Sequence, residues 1–361
     1  MQVDMHYYGT YAMALAAGIP DKDAEIIAYA AQYVDDASDS NNENKNDGGL
    51  LVGFTTAHHL GRSVLRKSPV VQRKVWVPCH FIPGGEGKDM EEKSICLPDS
   101  IIARQMMKNH IEMALCGKSF GLELLGVATH AYMDTFSHYG FSGFSSPYNG
   151  IRVDTLRIWT KNNSEYDRLK MKFELLEKKD KNLCTGVPRF FKKILSKGAQ
   201  LLSSALGHGG ALSFPDRPYL KWNFEYHLPR LGSGTKSVRE NYSDCFDACR
   251  NLHSFFCDFS QRRYEHPRVR KFEEIEEAVR DILMIEGDKH TRSEGWKKRN
   301  LIPESANYSA QDWENQKKQF NQYATSEEGI NTEVYRFHQA VAYHRYYMLK
   351  DLLPSHGIAA H

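Results

Sequence analysis

The chain has 361 residues, 41% of them hydrophobic, enough to bury a substantial core in one large or two modest domains. Its 47 Lys and Arg against 45 Asp and Glu leave a formal net charge of +2, so no global field marks it for nucleic acid or an anionic surface. Seven cysteines without a C-x-x-C pair do not suggest a disulfide framework, no run of about 18 apolar residues occurs, and Asp4 stands where a secretory signal would be basic.

In chain order, Tyr7 to Ala17 reads as a helix that stops at Gly18-Ile19-Pro20, because Pro20 cannot continue it and Gly18 suits a C-terminal cap. A second helix begins near Asp21 or Asp23, places Ile27, Ala30 or Ala31, and Val34 on an apolar face, and ends in Asp35 and Asp36. The polar, Gly-rich SDSNNENKNDGG is expected as a loop, after which LLVGFTTAHHLGR brings His58 and His59. KVWVPCHFIPGG alternates apolar residues briefly, is bracketed by Pro and Gly, and is expected as a strand or irregular wall carrying His80. Ser100 to Cys116 and Phe120 to His138 read as helices, followed by the aromatic loop FSGFSSPYNG.

Asn163 to Asn182 reads as a charged helix, and Pro188 to Ala205 as a basic amphipathic one whose lysines face water, which allows peripheral membrane contact at most. LGHGGALSFPDRPYLKWNFEYH looks irregular and offers His208 and Asp216. Helices are expected again over Asn241 to Ser260, Val269 to Ile285 and EVYRFHQAVAYHRYYMLKDLL. The expected fold is mostly α, a multi-helix bundle with long irregular loops. Residues 1–234 would form a metal-binding helical core, and 235–361 a C-terminal helical extension packed on it as one unit.

The chemistry concentrates in THAYMDTFSHYG, where His130, Asp134 and His138 recur every four residues. At about 100° per residue, all three side chains share one helix face, so imidazole and carboxylate line a metal-binding stripe. A polar face of ordinary hydrogen-bonded histidines gives the same spacing. CGKSF ends like a P-loop, but Glu112 occupies the position of its first glycine, and no H-E-x-x-H occurs. The remaining candidates are His6, Asp35, Asp36, His58, His59, His130, Asp134, His138, His208 and Asp216. Together they exceed the four ligands that close one structural zinc, which points to two or three metals.

The order of an N-terminal His, an Asp ending an early helix, a further His, then H-x-x-x-D and another His resembles the zinc-dependent phospholipase C superfamily, which includes fungal single-strand nucleases. MQVDMHYYGTYA, AAQYVDD, THAYMDTFSHYGFSG and LGHGG to PDRPYLKW more closely resemble a bacterial family with no assigned function. The superfamily resemblance implies an all-helical fold around three zincs. It makes His6 a ligand that shares a zinc with the terminal amine, matches Asp35 or Asp36 and His58 or His59 to further ligands, and makes Asp134, beside His130, the bridging carboxylate. His138 would open a third site, which His208, or less well Asp216, completes; HTRSE, His290 to Glu294, is expected to be a solvated helix face instead. Met1 before Gln2 is expected to stay in place, with Asp4 replacing the terminal ligand.

The function so implied is a metal-dependent hydrolase of a phosphoester, phospholipase C-like, using a hydroxide activated by two or three zinc ions or other divalent metals. One of Asp35 and Asp36 would bind metal or orient the attacking water and the other support it. The substrate would be a small phosphoester or a lipid head group, beside a wall formed by the Phe141 to Tyr148 loop, Tyr219 and Trp222. A nuclease or phosphatase on the same fold is the nearest alternative, with no strong nucleic-acid signal to favour it. A non-enzymatic alternative is a helical interaction protein whose metals are structural and whose C-terminal third binds a partner. The expected location is cytoplasmic, or exported without a cleaved signal peptide.

Overall fold

A π-helical turn, Asp4–Gly9, runs without a break into helix α1, Thr10–Ala16. In the computed structural model, which describes residues 1–38, 43–46, 49–57, 69–161, 164, 166–171, 211, 213–226, 238–320 and 326–359, α1 stops where the sequence places its cap. Gly18 has φ +82°, and a Cβ there would lie 3.0 Å from the Arg268 amide nitrogen, so both conformation and space call for glycine. Pro20 then precedes α2, Asp21–Asp36, whose first turn carries Asp21 and Asp23 against the positive end of the helix.

Two long helices follow. Ser100 caps α3, Ile101–Leu115, by accepting from the Ala103 amide, and α4, Gly121–His138, is buried along nearly its whole length. Helix α4 is the central rod, with α2, α3, α5 (Asn241–Arg263) and α9 (Glu333–Tyr346) packed around it. Between α5 and α9 lie α6, Phe272–Leu283, α7, Lys289–Lys298, and α8, Ala310–Gln319. The main hydrophobic core draws on side chains from Met1 to Ile358, so the first two-thirds and the last third of the chain share one interior.

The contact between α2 and α4 rests on small residues. A Cβ on Gly126 would sit 2.4 Å from the Ile27 carbonyl oxygen and 2.5 Å from the Ala30 side chain. Glycine at this position lets the two helix backbones approach closely enough for side chains one turn later to meet.

Among the described residues the fold is mostly helical, with little strand. Glu43–Asn46 (β1) pairs antiparallel with Gly49–Val52 (β2), within and just after the stretch expected as loop. A second sheet has the order β3-β4-β5 from Ile151–Trp159, Lys221–Tyr226 and Val238–Glu240, all antiparallel, with Trp222 opposite Ile158 and Arg239. Its buried face forms a smaller aromatic core with Phe81, Phe141, Phe214, Tyr219, Trp222 and Phe224. The segment expected as strand or wall before His80 is helical instead: a π-helical turn, Gln72–Trp76, leads into Val77–Cys79, where Pro78 falls in the first turn, the helical position that tolerates it. The helices expected over 163–182 and 188–205 lie largely outside the described residues. No described helix is long and apolar enough to cross a membrane.

Candidate metal centre

Gly126, His130, Asp134 and His138 succeed one another at four-residue steps on α4, so the face that admits α2 also carries the polar stripe. His130 reaches across the close contact to α2, its Nδ1 2.7 Å from the Ala31 carbonyl oxygen. His80 arrives from the turn after Cys79, with Nε2 2.8 Å from the Thr56 carbonyl oxygen, and His138 places Nδ1 2.8 Å from the His80 carbonyl oxygen. Each imidazole thus anchors one N–H to a backbone carbonyl, which assigns its tautomer and leaves the other nitrogen for the interior.

Those second nitrogens converge on carboxylates. Asp134 Oδ2 lies 3.2 Å from His80 Nδ1 and 3.2 Å from His130 Nε2, and Asp134 Oδ1 lies 3.1 Å from His6 Nε2. His138 Nε2 is 3.1 Å from Asp216 Oδ1. The Met1 amino group pairs with Asp134 Oδ1 and stands 3.3 Å from Asp216 Oδ1. Asp35 Oδ1 approaches His130 Nε2 at 3.8 Å and His80 Nδ1 at 3.9 Å, and its side chain is 34% exposed. It forms the rim of a centre whose other members are buried.

Among the described residues, two groups have the geometry to hold a cation: His6, Asp35 and His130, and His80, His130 and Asp134, each with ligand atoms within 4.8 Å of one another. His130 belongs to both.

The electrostatics agree with a site built for positive charge. Burial by itself would raise the Asp134 carboxyl, but the facing His138, the Met1 amine, His130 and His6 outweigh it and hold Asp134 well below the usual carboxylate range. Burial would likewise lower the Met1 amine, yet Asp134, Asp216 and Asp35 push it up to about 11. His80 shows the same contest: burial opposes its protonation, while Asp134 and Asp35 raise its pKa. His6 goes the other way, lowered well below its ordinary value by burial, by His130 and by the Met1 amine.

Fit to a divalent metal can be judged on these atoms. His6 is fully buried, its Nδ1 has no partner, and its Nε2 lies near Asp134 without hydrogen-bond geometry. His80 Nδ1 and His130 Nε2 face each other at 3.1 Å while their other nitrogens serve carbonyls. Were both imidazoles neutral they would present lone pair to lone pair, an arrangement that a proton on His80 or a bound cation would relieve beside Asp134. All donors are nitrogen or oxygen, a set suited to zinc, iron or manganese.

The structure gathers His6, Asp35, His130, Asp134, His138 and Asp216 and separates two candidates from them. Asp36 turns away from its neighbour, accepting from Tyr308 Oη at 2.7 Å and Gln32 Nε2 at 3.1 Å, because successive helix residues point about 100° apart. Asp4 does not replace the terminal group: it is paired with Arg292 at 2.7 Å, and the Met1 amine itself occupies the cluster. His58, His59 and His208 lie outside the described residues. In HTRSE, His290 faces water and Glu294 pairs with Lys297 at 2.9 Å. Phe141 and Trp222 are fully buried in the smaller core, so they form no open wall beside the centre. The chain contains a G-x-S-x-G string, Gly117–Gly121, but it joins helix α3 to helix α4, whereas a nucleophile elbow joins strand to helix.

His80 is the member that sequence reasoning left out of the ligand set. Its local spacing gives no ligand pattern; the only signal was a histidine in a Pro- and Gly-bracketed turn.

The model of a family of unknown function (DUF6765) matches residues 1–352, and the chain belongs to that family. No curated protein and no solved structure matches it.

Proposed function

We propose that the chain is a divalent-metal-dependent hydrolase acting on a phosphoester. The observation that carries this reading is the facing pair His80 Nδ1 and His130 Nε2, 3.1 Å apart with Asp134 3.2 Å from each, beside an Asp35 that opens to water. His6, Asp35, His80, His130 and Asp134 would hold the metal, and His138, Asp216 and the Met1 amine complete the polar cluster around Asp134. Divalent ions in such a donor set, zinc in the resemblance to phospholipase C, act as Lewis acids that polarise a phosphoryl oxygen and acidify water. Asp35, the rim carboxylate, would either bind the metal or orient the entering water. Asp134 stays ionised and balances the charge of its neighbours. The resemblance of the His6, His130, Asp134 and His138 order to zinc-dependent phospholipases supports the choice of phosphoester. The near-neutral net charge supports a lipid head group or small phosphoester over nucleic acid.

A second reading, metals that only stabilise the helices, is favoured by the burial of His6, His130 and Asp134, since structural sites are closed by protein ligands. Elemental analysis of the purified chain, followed by turnover of a nitrophenyl phosphodiester before and after chelation, separates the two. Bound metal with chelator-sensitive turnover supports the hydrolase. Bound metal without turnover on any phosphoester leaves the structural reading, and no bound metal removes both.

A further inference from the structure

Helix α9 lies in the last third of the chain and contributes no ligand atom to the centre, yet it bonds to both backbone segments that hold His80. The Phe54 amide donates to His338 Nδ1 at 3.1 Å. Arg345 Nη2 donates to the Thr55 carbonyl oxygen, and the guanidinium lies 5.3 Å from the Phe54 ring centroid. On the other side, His344 Nε2 donates to the Pro78 carbonyl oxygen at 2.8 Å.

These contacts bracket the imidazole. Thr56, next to the residue held by Arg345, supplies the carbonyl that receives His80 Nε2–H at 2.8 Å; Pro78 is two residues before His80 on its own chain segment. From the opposite direction Thr56 is tied to α2, its Oγ1 2.7 Å from the Val34 carbonyl oxygen and its amide 2.9 Å from that of Ala37. The carbonyl that sets the His80 tautomer is therefore clamped between the helix that carries Asp35 and the helix that carries Arg345. A shift of Thr55–Thr56 would swing the imidazole and carry Nδ1 away from Asp134.

We propose that α9 is the positioning element of the centre and that Arg345 and His344 are positioning residues acting through His80. This rests on reading the cluster as a metal centre. It gives the C-terminal third a role in that centre through three bonds from side chains to backbone.

The test uses the full chain with cobalt(II) as the probe, reading affinity by competition titration, the visible ligand-field band, and the melting temperature as a control on folding. Wild type takes up cobalt. Arg345→Gln lowers its affinity by about tenfold to a hundredfold and moves the visible band, the scale expected for an outer-shell partner. Arg345→Lys, which keeps a cationic donor for the Thr55 carbonyl but loses the planar guanidinium beside Phe54, recovers part of that loss. In a His80→Gln background Arg345→Gln costs no further affinity, because its route to the metal is already gone.

An Arg345→Gln chain with unchanged cobalt affinity overturns the inference while leaving the metal reading intact. So does an equal loss with and without His80, which would mark a purely structural role. A wild-type chain that binds no cobalt removes the metal reading, and the inference with it. Should Arg345→Gln fail to fold, His344→Gln is carried through the same cycle with the same deciding outcomes.

Discussion

Among the described residues, two pairs of buried histidines bring ring nitrogens to hydrogen-bond distance, and they differ in how protons can be placed on them. In the first, His130 Nδ1 and His80 Nε2 both serve carbonyls, so the nitrogens that face each other at 3.1 Å lack a proton in the neutral form. In the second, His344 Nε2 donates to the Pro78 carbonyl at 2.8 Å, and His344 Nδ1 is free to accept from His110 Nε2 at 3.0 Å. Neutral tautomers satisfy the second pair and leave the first with a conflict that only positive charge resolves. Carboxylates follow the same division. Asp134 and Asp35 accompany the first pair and raise His80, whereas burial pushes His110 well below its ordinary value and His344 down to about 4. Burial of a histidine does not by itself make a metal ligand; the position of its second hydrogen bond and the presence of a carboxylate decide.

The most direct way to break that contrast is to remove the shared carboxylate charge. Asp134→Asn keeps the shape but loses the negative charge that four imidazoles and the Met1 amine face. Metal should be lost on dialysis, and phosphodiester turnover should fall by roughly a thousandfold or more, the loss of several kcal/mol of charge stabilisation. His110→Asn, in the other pair, keeps an N–H that can donate to His344 Nδ1 and removes no carboxylate, so it should leave metal content unchanged. Metal analysis of both variants side by side decides whether the two pairs differ as claimed.

A second carboxylate on α4 sharpens the point from the other side. Glu123 is buried like Asp134 but has no imidazole partners, and burial lifts it to about 7, only partly offset by a local backbone hydrogen bond and by Arg336. A raised carboxyl pKa means that the unfolded chain ionises first. Stability associated with Glu123 is therefore full below pH 4.5 and declines as pH rises through 7, a total of about 3 kcal/mol. Urea unfolding of Glu123→Gln should lack this decline, so that the variant gains on wild type between pH 5 and 8. A difference that stays constant over that range would show that burial does not perturb Glu123 as described.

Much of the centre was legible because helical periodicity is local. The four-residue spacing of His130, Asp134 and His138, and a carboxylate pair ending α2, needed no tertiary information to be noticed. Which member of the pair faces inward did need it, since either Asp35 or Asp36 suits a helix end and only the packing of α2 on α4 selects Asp35. His80 was invisible for the same reason: its partners are Thr56, His130 and Asp134, none within a helical turn of it. The sheet was missed differently. KWNFEY carries a period-two pattern, with Trp222 and Phe224 inward, but the Gly- and Pro-rich residues before it outweighed six residues of alternation. The mostly helical class was plain from the long apolar-faced segments, while polar α7 and α8 left weaker traces.

The approach of α2 to α4 offers a cut through the centre that alters no ligand. Gly126→Ala would force a methyl group to within 2.4 Å of the Ile27 carbonyl oxygen and drive the helices apart, a loss of about 2 kcal/mol of stability. Asp35 would be carried away from His130, whose Nδ1 bond to Ala31 crosses that gap. Metal affinity should fall with stability, whereas the contact between His110 and His344 joins α3 to α9 rather than α2 to α4 and should persist. Thermal melting with and without added metal reads both effects: the metal-dependent increment in melting temperature should shrink in Gly126→Ala, and an undiminished increment would show that the close approach does not set the centre.

The smallest effect concerns His338 on α9, whose pKa falls to about 3 because burial, and then Lys317 and Arg345, oppose its charge. Its Nδ1 accepts from the Phe54 amide, which requires the unprotonated form. For a base with a lowered folded pKa, the unfolded chain takes up the proton first. The stability tied to His338 is therefore complete above its ordinary value of 6.5 and is lost as pH falls toward 3, by about 1.4 kcal/mol from pH 7.5 to 5.5. Glu123 works in the same window with opposite sign, so the two tend to cancel in the wild-type curve. Subtracting the His338→Asn curve, where the Asn carbonyl can still accept from Phe54, isolates one term, and subtracting Glu123→Gln isolates the other. If buried histidines without carboxylates stay neutral in this fold, the first difference must grow with acidity; a flat one would place a proton on His338 and erase the distinction between the two kinds of histidine site.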